Sequence, residues 1–167
     1  MLNGLRSSVA SRSARGMVRA QVLFSEYNYH LRHPVPTKGA RGNGIRFERK
    51  VVDSLTAQYS SCTFGVPIRI TRDDGTHLMC IPDAFMLHGS EVVVFEVKIR
   101  HCIDAWWQLT KLYEPALRRA FGLNVRRLEV VKSYDPAVSF PEPHFICQDV
   151  NTFLKTRAPL GVLIWGR

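Results

Sequence analysis

Three charged side chains fall where neighbouring apolar segments would bring them together. Asp83 precedes one apolar segment, and Glu96 and Lys98 stand two residues apart near the end of the next. Side chains alternate along a strand, so Glu96 and Lys98 would share one face. Residues 92–95 are apolar on both faces, which is typical of a central strand. Charged groups on such a strand are costly unless they pair, bind a metal or reach a cleft.

Two carboxylates and a lysine at one end of a sheet suit metal-assisted cleavage of a phosphodiester. Asp83 and Glu96 would offer hard oxygen ligands to Mg²⁺, with Mn²⁺ as a substitute, and the Val97 carbonyl would be a further ligand. Such a metal polarises the phosphate and lowers the pKa of a bound water. Lys98 would position that water, help to deprotonate it or offset charge in the transition state.

A hairpin would bring Asp83 alongside Glu96. Residues 77–87 and 91–100 are predicted strands, separated by His88, Gly89 and Ser90. An amphipathic helix is predicted before them over residues 45–59, because its apolar residues recur at helical spacings.

The remaining pattern predicts an α/β sandwich around a mixed sheet. Pro115 should kink the long helix, and Gly122 should cap its end. The other predicted elements are a strand over 66–71, this helix over 104–121, a strand over 125–131, a short strand over 144–147, a helix over 149–155 and a strand over 160–165.

These residues resemble the motif of the PD-(D/E)xK nuclease superfamily, a Pro-Asp on one strand and a Glu-x-Lys at the end of the next. The matching residues are Pro82, Asp83, Glu96 and Lys98. The resemblance covers about residues 44–132. It implies a restriction-endonuclease-like fold, in which helices flank a mixed β-sheet, and a Mg²⁺-dependent endodeoxyribonuclease activity.

The resemblance also assigns roles to two helical residues. Superfamily members carry a carboxylate on the helix before the first core strand, and Glu48 matches that position, where it would bind metal or orient a second ligand or water. The RecB-like branch adds a Gln on the helix after the Glu-x-Lys strand, followed four residues later by Tyr. Gln108 matches, but the tyrosine, Tyr113, comes five residues later. The match is therefore to the superfamily rather than to this branch.

Structural interpretations compete with these roles. Glu96 and Lys98 could form an exposed cross-strand pair at a sheet edge, and Asp83 could be a turn residue after its proline. Glu48 could be a surface partner of Arg49, and Gln108 a surface amide.

Charge is concentrated at the amino-terminal end of the chain. Of the formal +9, residues 1–50 carry ten Lys and Arg against two acids, whereas residues 51–167 are nearly balanced. Residues 1–43, the leader, are predicted to be an arm and linker without a strand, and 44–167 the nuclease-like domain. The leader is interpreted as a phosphate-neutralising arm, with a mitochondrial presequence or a solvated tail as alternatives. The candidate DNA contacts are Arg41, Arg46, Arg49, Arg100 and Lys111.

Other residue types exclude several classes. No apolar run approaches the roughly 20 residues of a membrane span. The four cysteines lack paired spacing, which predicts reduced thiols in an intracellular protein. The six histidines are scattered and are predicted to be ordinary surface or packed residues. Trp106 is predicted to lie in the core, with a base-stacking platform as the alternative for the Trp106–Trp107 pair. A solvated basic face is predicted for Arg118, Arg119, Arg126 and Arg127.

The function predicted from these observations is a metal-dependent deoxyribonuclease with structure-selective or weakly sequence-specific cutting. A non-catalytic nucleic-acid-binding or packaging component on the same fold is the alternative. DNA is the predicted partner, and a homodimer or a larger nucleoprotein assembly would suit a domain of this size.

Overall fold

The computed structural model describes residues 14–24 and 39–166, which form nine strands and four α-helices. In chain order the elements are β1 (Met17–Val22), α1 (Gly39–Gln58), β2 (Cys62–Phe64), β3 (Ile68–Arg72), β4 (His77–Cys80), β5 (Ala84–His88), β6 (Glu91–Arg100), α2 (Ile103–Gln108), a π turn (Leu109–Tyr113), α3 (Glu114–Phe121), β7 (Asn124–Ser133), β8 (Phe145–Cys147), α4 (Val150–Lys155) and β9 (Leu160–Ile164). This composition confirms the predicted mixed α/β class.

A six-stranded mixed sheet forms the centre of the fold, in the order β2-β5-β6-β7-β9-β8. β2, β5 and β6 are antiparallel neighbours, whereas β6, β7, β9 and β8 pair in parallel. Residues 92–97 of β6 are buried, as expected for a strand covered on both faces. The mixed sheet flanked by helices is thus confirmed.

Each face of this sheet has its own apolar core. On one face, α1 and α4 pack through residues such as Leu55 and Phe153 against β6 and β7. On the other face, the helical segment 103–121 packs through Leu109 and Leu117, and the three-stranded sheet β1-β3-β4 covers the rest through Ile68 and Ile70. Alternate side chains of β6 therefore enter different cores.

The single strand predicted over 77–87 is wrong. β4 pairs with β3 in the small sheet, and β5 pairs with β6 in the large one. Pro82 lies between them, and because it has no N–H to give to a strand ladder it separates the two strands. The three-residue edge strand β2 falls where the sequence predicted only a break after the first helix.

The leader contributes a strand, which the sequence did not predict. β1 pairs antiparallel with β3, and its polar Arg19 and Gln21 are exposed, as an edge strand allows. α1 begins at Gly39, so the last residues of the leader, predicted to be arm and linker up to residue 43, are helical from Gly39 onward. The rest of the leader, residues 1–13 and 25–38, lies outside the described residues.

The predicted helix over 104–121 is present but irregular before Pro115. The π turn interrupts it, and Gly122 ends it with a left-handed φ of 67°, as predicted. Pro115 has no N–H to donate to the carbonyl of Lys111. That carbonyl instead accepts a hydrogen bond from the Ala14 N–H at 2.9 Å. The leader thus satisfies a backbone group that the proline leaves free.

No helix within the described ranges is long and apolar enough to cross a membrane. The four cysteines are free thiols, in agreement with the prediction.

Gly161 of β9 allows the closest packing in the large sheet. A Cβ there would lie 2.7 Å from a Phe153 ring carbon and 2.9 Å from Leu128 Cδ1. We expect Gly161→Ala to lower the free energy of unfolding by about 1–3 kcal/mol through overpacking. Gly44→Ala in α1 meets no neighbour within 4 Å and should raise it by about 0.5–1 kcal/mol. Urea unfolding measures both, and equal effects of the two changes would contradict this packing.

Candidate active site

The β5–β6 pairing places Asp83 beside the end of β6. Ala84 is in register with Phe95, so Asp83 precedes the paired residue on one strand while Glu96 follows it on the other. The Asp83 Oδ2 atom accepts a hydrogen bond from the Val97 N–H at 2.7 Å. Asp83 is thereby fixed to β6 between the two charged residues and is not an isolated turn residue.

Glu96 and Lys98 share one face of β6, as the two-residue spacing predicts. The Lys98 Nζ atom lies 2.5 Å from Glu96 Oε1. Glu96 is 2% exposed, and its Oε2 is buried without a hydrogen-bond partner among the residues that the structure describes. The alternative of an exposed pair at a sheet edge is wrong, because β6 lies inside the sheet and Glu96 is buried.

Glu48 approaches this group from α1. It is half-buried on the helix that packs through Val51, Val52 and Leu55. Burial raises the pKa of Glu48, and the negative charge of Glu96 raises it further, whereas Lys98 and then Arg49 lower it. Its charge therefore interacts with the β6 group as well as with its helical neighbour.

Mutual repulsion and burial perturb the carboxylates strongly. Burial, followed by the charge of Glu48, raises the pKa of Asp83 to about 7. Burial, followed by the charge of Asp83, raises the pKa of Glu96 to about 8. Burial opposes the positive charge of Lys98, but the adjacent Glu96 outweighs it and raises the pKa of Lys98. One lysine cannot neutralise three ionised carboxylates, so the group favours either a bound proton or a further cation.

Gln108 and Tyr113 meet across the π turn. The Glu114 N–H donates to the carbonyl of Leu109, five residues earlier, which is the hydrogen bond of a π-helix. The wider turn puts residues five apart on one face, and the Gln108 side chain lies close enough to the Tyr113 hydroxyl to lower its pKa, which burial raises. Gln108 is therefore not merely a surface amide.

Tyr113 joins this helix to the carboxylates. It is 4% exposed, and its hydroxyl lies 3.2 Å from the carbonyl of Ile81, two residues before Asp83. The hydroxyl also lies close enough to Glu96 to lower the pKa of that carboxyl, against the larger effect of burial. Glu48, Asp83, Glu96, Lys98 and Gln108 are thus brought into one connected group, to which Tyr113 is added.

Sequence reasoning missed a second buried acid on the same face. Glu129 of β7 is in register with Glu96 and is fully buried. One of its oxygens contacts His101 Nδ1, and the other accepts the Cys102 N–H at 3.1 Å. A glutamate flanked by the apolar residues Leu128 and Val130 in the predicted strand was the available signal. The pair fixes the junction between β6, which carries Lys98, and α2, which carries Gln108.

Two arginines are also placed differently from the prediction. Arg126 and Arg127 are each 5% exposed. Arg126 donates to backbone oxygens at the end of α4, and Arg127 donates to both carboxylate oxygens of Glu142 at 2.7 and 3.0 Å. The predicted solvated face is wrong for this pair but agrees with the exposure of Arg118 and Arg119.

The predicted phosphate contacts are all exposed. Arg41, Arg46 and Arg49 lie on α1, which also carries Glu48. Arg100 ends β6, and Lys111 lies in the π turn. Four of these cations lie on the two helical segments that contribute side chains to the carboxylate group, and Arg100 lies at the end of the strand that carries Glu96 and Lys98.

The described residues contain no group of three or more His, Cys, Asp or Glu side chains placed to hold a metal ion. Two carboxylates and a backbone oxygen would be the donors that β5 and β6 can offer. In comparisons with known proteins, no family model, no curated protein and no solved structure matches this chain significantly.

Glu129 should make the protein less stable as pH rises. Burial raises the pKa of Glu129 from 4.5 to about 8. The folded protein therefore keeps a proton that the unfolded chain releases, and the free energy of unfolding falls as pH rises through this interval. Glu129→Gln should flatten that fall by about 1.4 kcal/mol for each pH unit within the interval, because the folded state then holds one proton fewer.

Urea unfolding at several pH values between 4.5 and about 8 measures how steeply the free energy of unfolding falls with pH. Asp53→Asn, on the exposed side of α1, is the control and should keep the wild-type slope. A Glu129→Gln curve parallel to that of the wild type would show that the proton is held elsewhere.

Proposed function

We propose that this protein is a metal-dependent deoxyribonuclease of the PD-(D/E)xK type, with a structure-selective or weakly sequence-specific cut. One observation carries the proposal. Asp83, Glu96 and Lys98 meet at one end of a central strand, where Asp83 is held by the Val97 N–H and one oxygen of Glu96 is buried without a partner among the described residues. A purely structural ion pair would not require the additional buried carboxylate.

The donor set fits a hard divalent cation. Asp83 and Glu96 would hold Mg²⁺ or Mn²⁺ with the carbonyl of Val97, and Glu48 would bind it or orient a second ligand or water. The raised pKa of Asp83 and that of Glu96 support this assignment, because a nearby cation would offset the repulsion that raises them. When bound, the metal would supply Lewis-acid activation of the phosphate and of a water.

Lys98 would act on the attacking water or on the charge of the phosphate. Its contact with Glu96 fixes the ammonium group at the strand end, and its raised pKa keeps it protonated near neutral pH. A fixed cation beside the scissile phosphate stabilises the charge that develops in the transition state.

The π turn supports a closer relation to the RecB-like branch than the sequence spacing suggests. Tyr113 comes one residue later than the branch pattern, and the π turn removes the effect of that extra residue because it aligns Gln108 with Tyr113. We infer that these two side chains orient Glu96 and the substrate backbone.

DNA would be held by phosphate contacts from both helical segments. Arg41, Arg46 and Arg49 on α1, with Arg100 and Lys111 on the other side of the carboxylates, are exposed cations of the kind that release counterions on binding. The leader would add affinity that does not depend on base sequence. This arrangement favours a substrate recognised by shape over one read at base edges.

Cleavage of plasmid, single-stranded and branched DNA tests the activity directly. We expect cutting with Mg²⁺ and none with EDTA. Asp83→Asn and Lys98→Ala should each lower the rate by about 100-fold or more, because each removes a group required in the transition state. Lys132→Ala changes an exposed lysine of β7 and should retain the wild-type rate. DNA binding without cutting in Mg²⁺ and in Mn²⁺ would instead favour the non-catalytic packaging function.

Metal binding can be measured without any activity. Mg²⁺ or Mn²⁺ at about ten times its Kd should stabilise the wild type by about 1.4 kcal/mol. Glu96→Gln should abolish this increment, because it replaces a carboxylate ligand by a neutral amide. Thermal unfolding with and without metal measures the increment in both proteins. An unchanged metal increment in Glu96→Gln would remove Glu96 from the ligand set.

A further inference from the structure

Trp107 is an exposed aromatic side chain beside the candidate active site. It is 42% exposed, and Ile103, one helical turn earlier on the same face, is 39% exposed. The adjacent Trp106 is buried and is fixed by a hydrogen bond from its Nε1 to Glu142 at 2.7 Å. The two indoles meet edge to face, with ring centroids 5.2 Å apart. The exposed ring is therefore backed by a rigid one.

A cation accompanies these rings. The Lys111 Nζ atom lies 5.3 Å from the centroid of Trp106 and 5.9 Å from that of Trp107. Arg100 is exposed at the end of β6, three residues before the helix begins at Ile103, and Asp104 lies in the first turn of that helix. An exposed ring with a cation beside it offers both an aromatic face and a partner for phosphate.

The position of these residues connects them to the proposed cleavage site. Trp107 directly precedes Gln108, whose side chain lies close enough to the Tyr113 hydroxyl to affect its pKa, and that hydroxyl in turn affects the pKa of Glu96. Residues 103–121 form one continuous helical segment that follows the strand bearing Lys98. A nucleotide on Trp107 would therefore contact the helical segment that also contributes Gln108 and Tyr113 to the carboxylate group.

Ile103, Trp107 and Lys111 together are called the Trp107 surface. We propose that this surface binds an unpaired base of the DNA substrate by stacking it on the indole ring. The proposal rests on the nuclease function and names its substrate class, DNA with a single-stranded segment next to the cut. Bases within a duplex present only their edges, so a ring can stack on a base only where the strand is unpaired or the base is extruded. Single strands, overhangs and branch points meet this requirement.

Fluorescence anisotropy of labelled oligonucleotides in EDTA tests stacking while cleavage is switched off. Trp107→Ala should weaken binding of a single strand by about 5- to 150-fold, the effect of losing one stacked base. Binding of a blunt duplex should be unchanged within error, and Trp107→Phe should retain most of the affinity for the single strand. Ile146→Ala, at an equally exposed apolar residue of the distant strand β8, is the matched control and should bind as the wild type.

The outcomes separate the two proposals. Weaker binding of a single strand by Trp107→Ala supports the Trp107 surface, whether or not the wild-type protein cleaves DNA. Unchanged binding of the single strand overturns the proposal, and so does an equal loss of affinity for a blunt duplex. A wild-type protein that binds no DNA overturns it as well. Loss of self-association in Trp107→Ala, measured by light scattering with binding of DNA unchanged, would assign the surface to a second copy of the chain. Absence of metal-dependent cutting with the binding effect intact would refute only the nuclease.

Discussion

The cost of keeping like charges at the buried end of one strand governs the arrangement around it. Glu96 lies in a strand that is covered on both faces, and Asp83 is fixed to the same strand by a backbone hydrogen bond. Burial and mutual repulsion raise the pKa of each carboxyl, and Lys98 offsets only part of the charge. The neighbouring elements compensate in different ways, through the Tyr113 hydroxyl and through the backbone donors of β6. This combination is unfavourable for stability alone and is typical of sites that bind a cation or a proton for chemistry.

A second buried polar layer stabilises the frame that holds this group. Glu129 and His101 join β7 to the start of the helical segment, while Arg127 joins the same strand to the loop that carries Glu142. Since Glu142 also fixes Trp106, the layer reaches from the central sheet to the exposed indole of Trp107. Positions of the helix relative to the sheet are therefore set by directional contacts as well as by apolar packing.

Part of this arrangement could be predicted from the sequence. The alternation and the apolar run before Glu96 were enough to place β6 inside a mixed sheet, and the two-residue spacing put Lys98 on the face of Glu96. The break between β4 and β5 could have been inferred from Pro82, which argues against one continuous strand, but their assignment to different sheets depends on tertiary pairing. Arg126 and Arg127 were misassigned because a buried arginine depends on acceptors that are distant in sequence. The strand in the leader was missed since an edge strand needs apolar residues on one side only.

The π turn has a consequence for how such a chain can be compared with others. In a regular helix, the residue that shares a face with Gln108 lies four positions later and is Leu112 in this chain. The π turn widens the helix locally, so Tyr113, five positions later, lies on the face of Gln108 instead. The Lys111 carbonyl left free by Pro115 is meanwhile closed by Ala14, from a different part of the chain. Within a single turn, side chains five positions apart are thus brought to the same face of the helix. A sequence pattern with a fixed spacing of four residues would overlook the pairing of Gln108 with Tyr113.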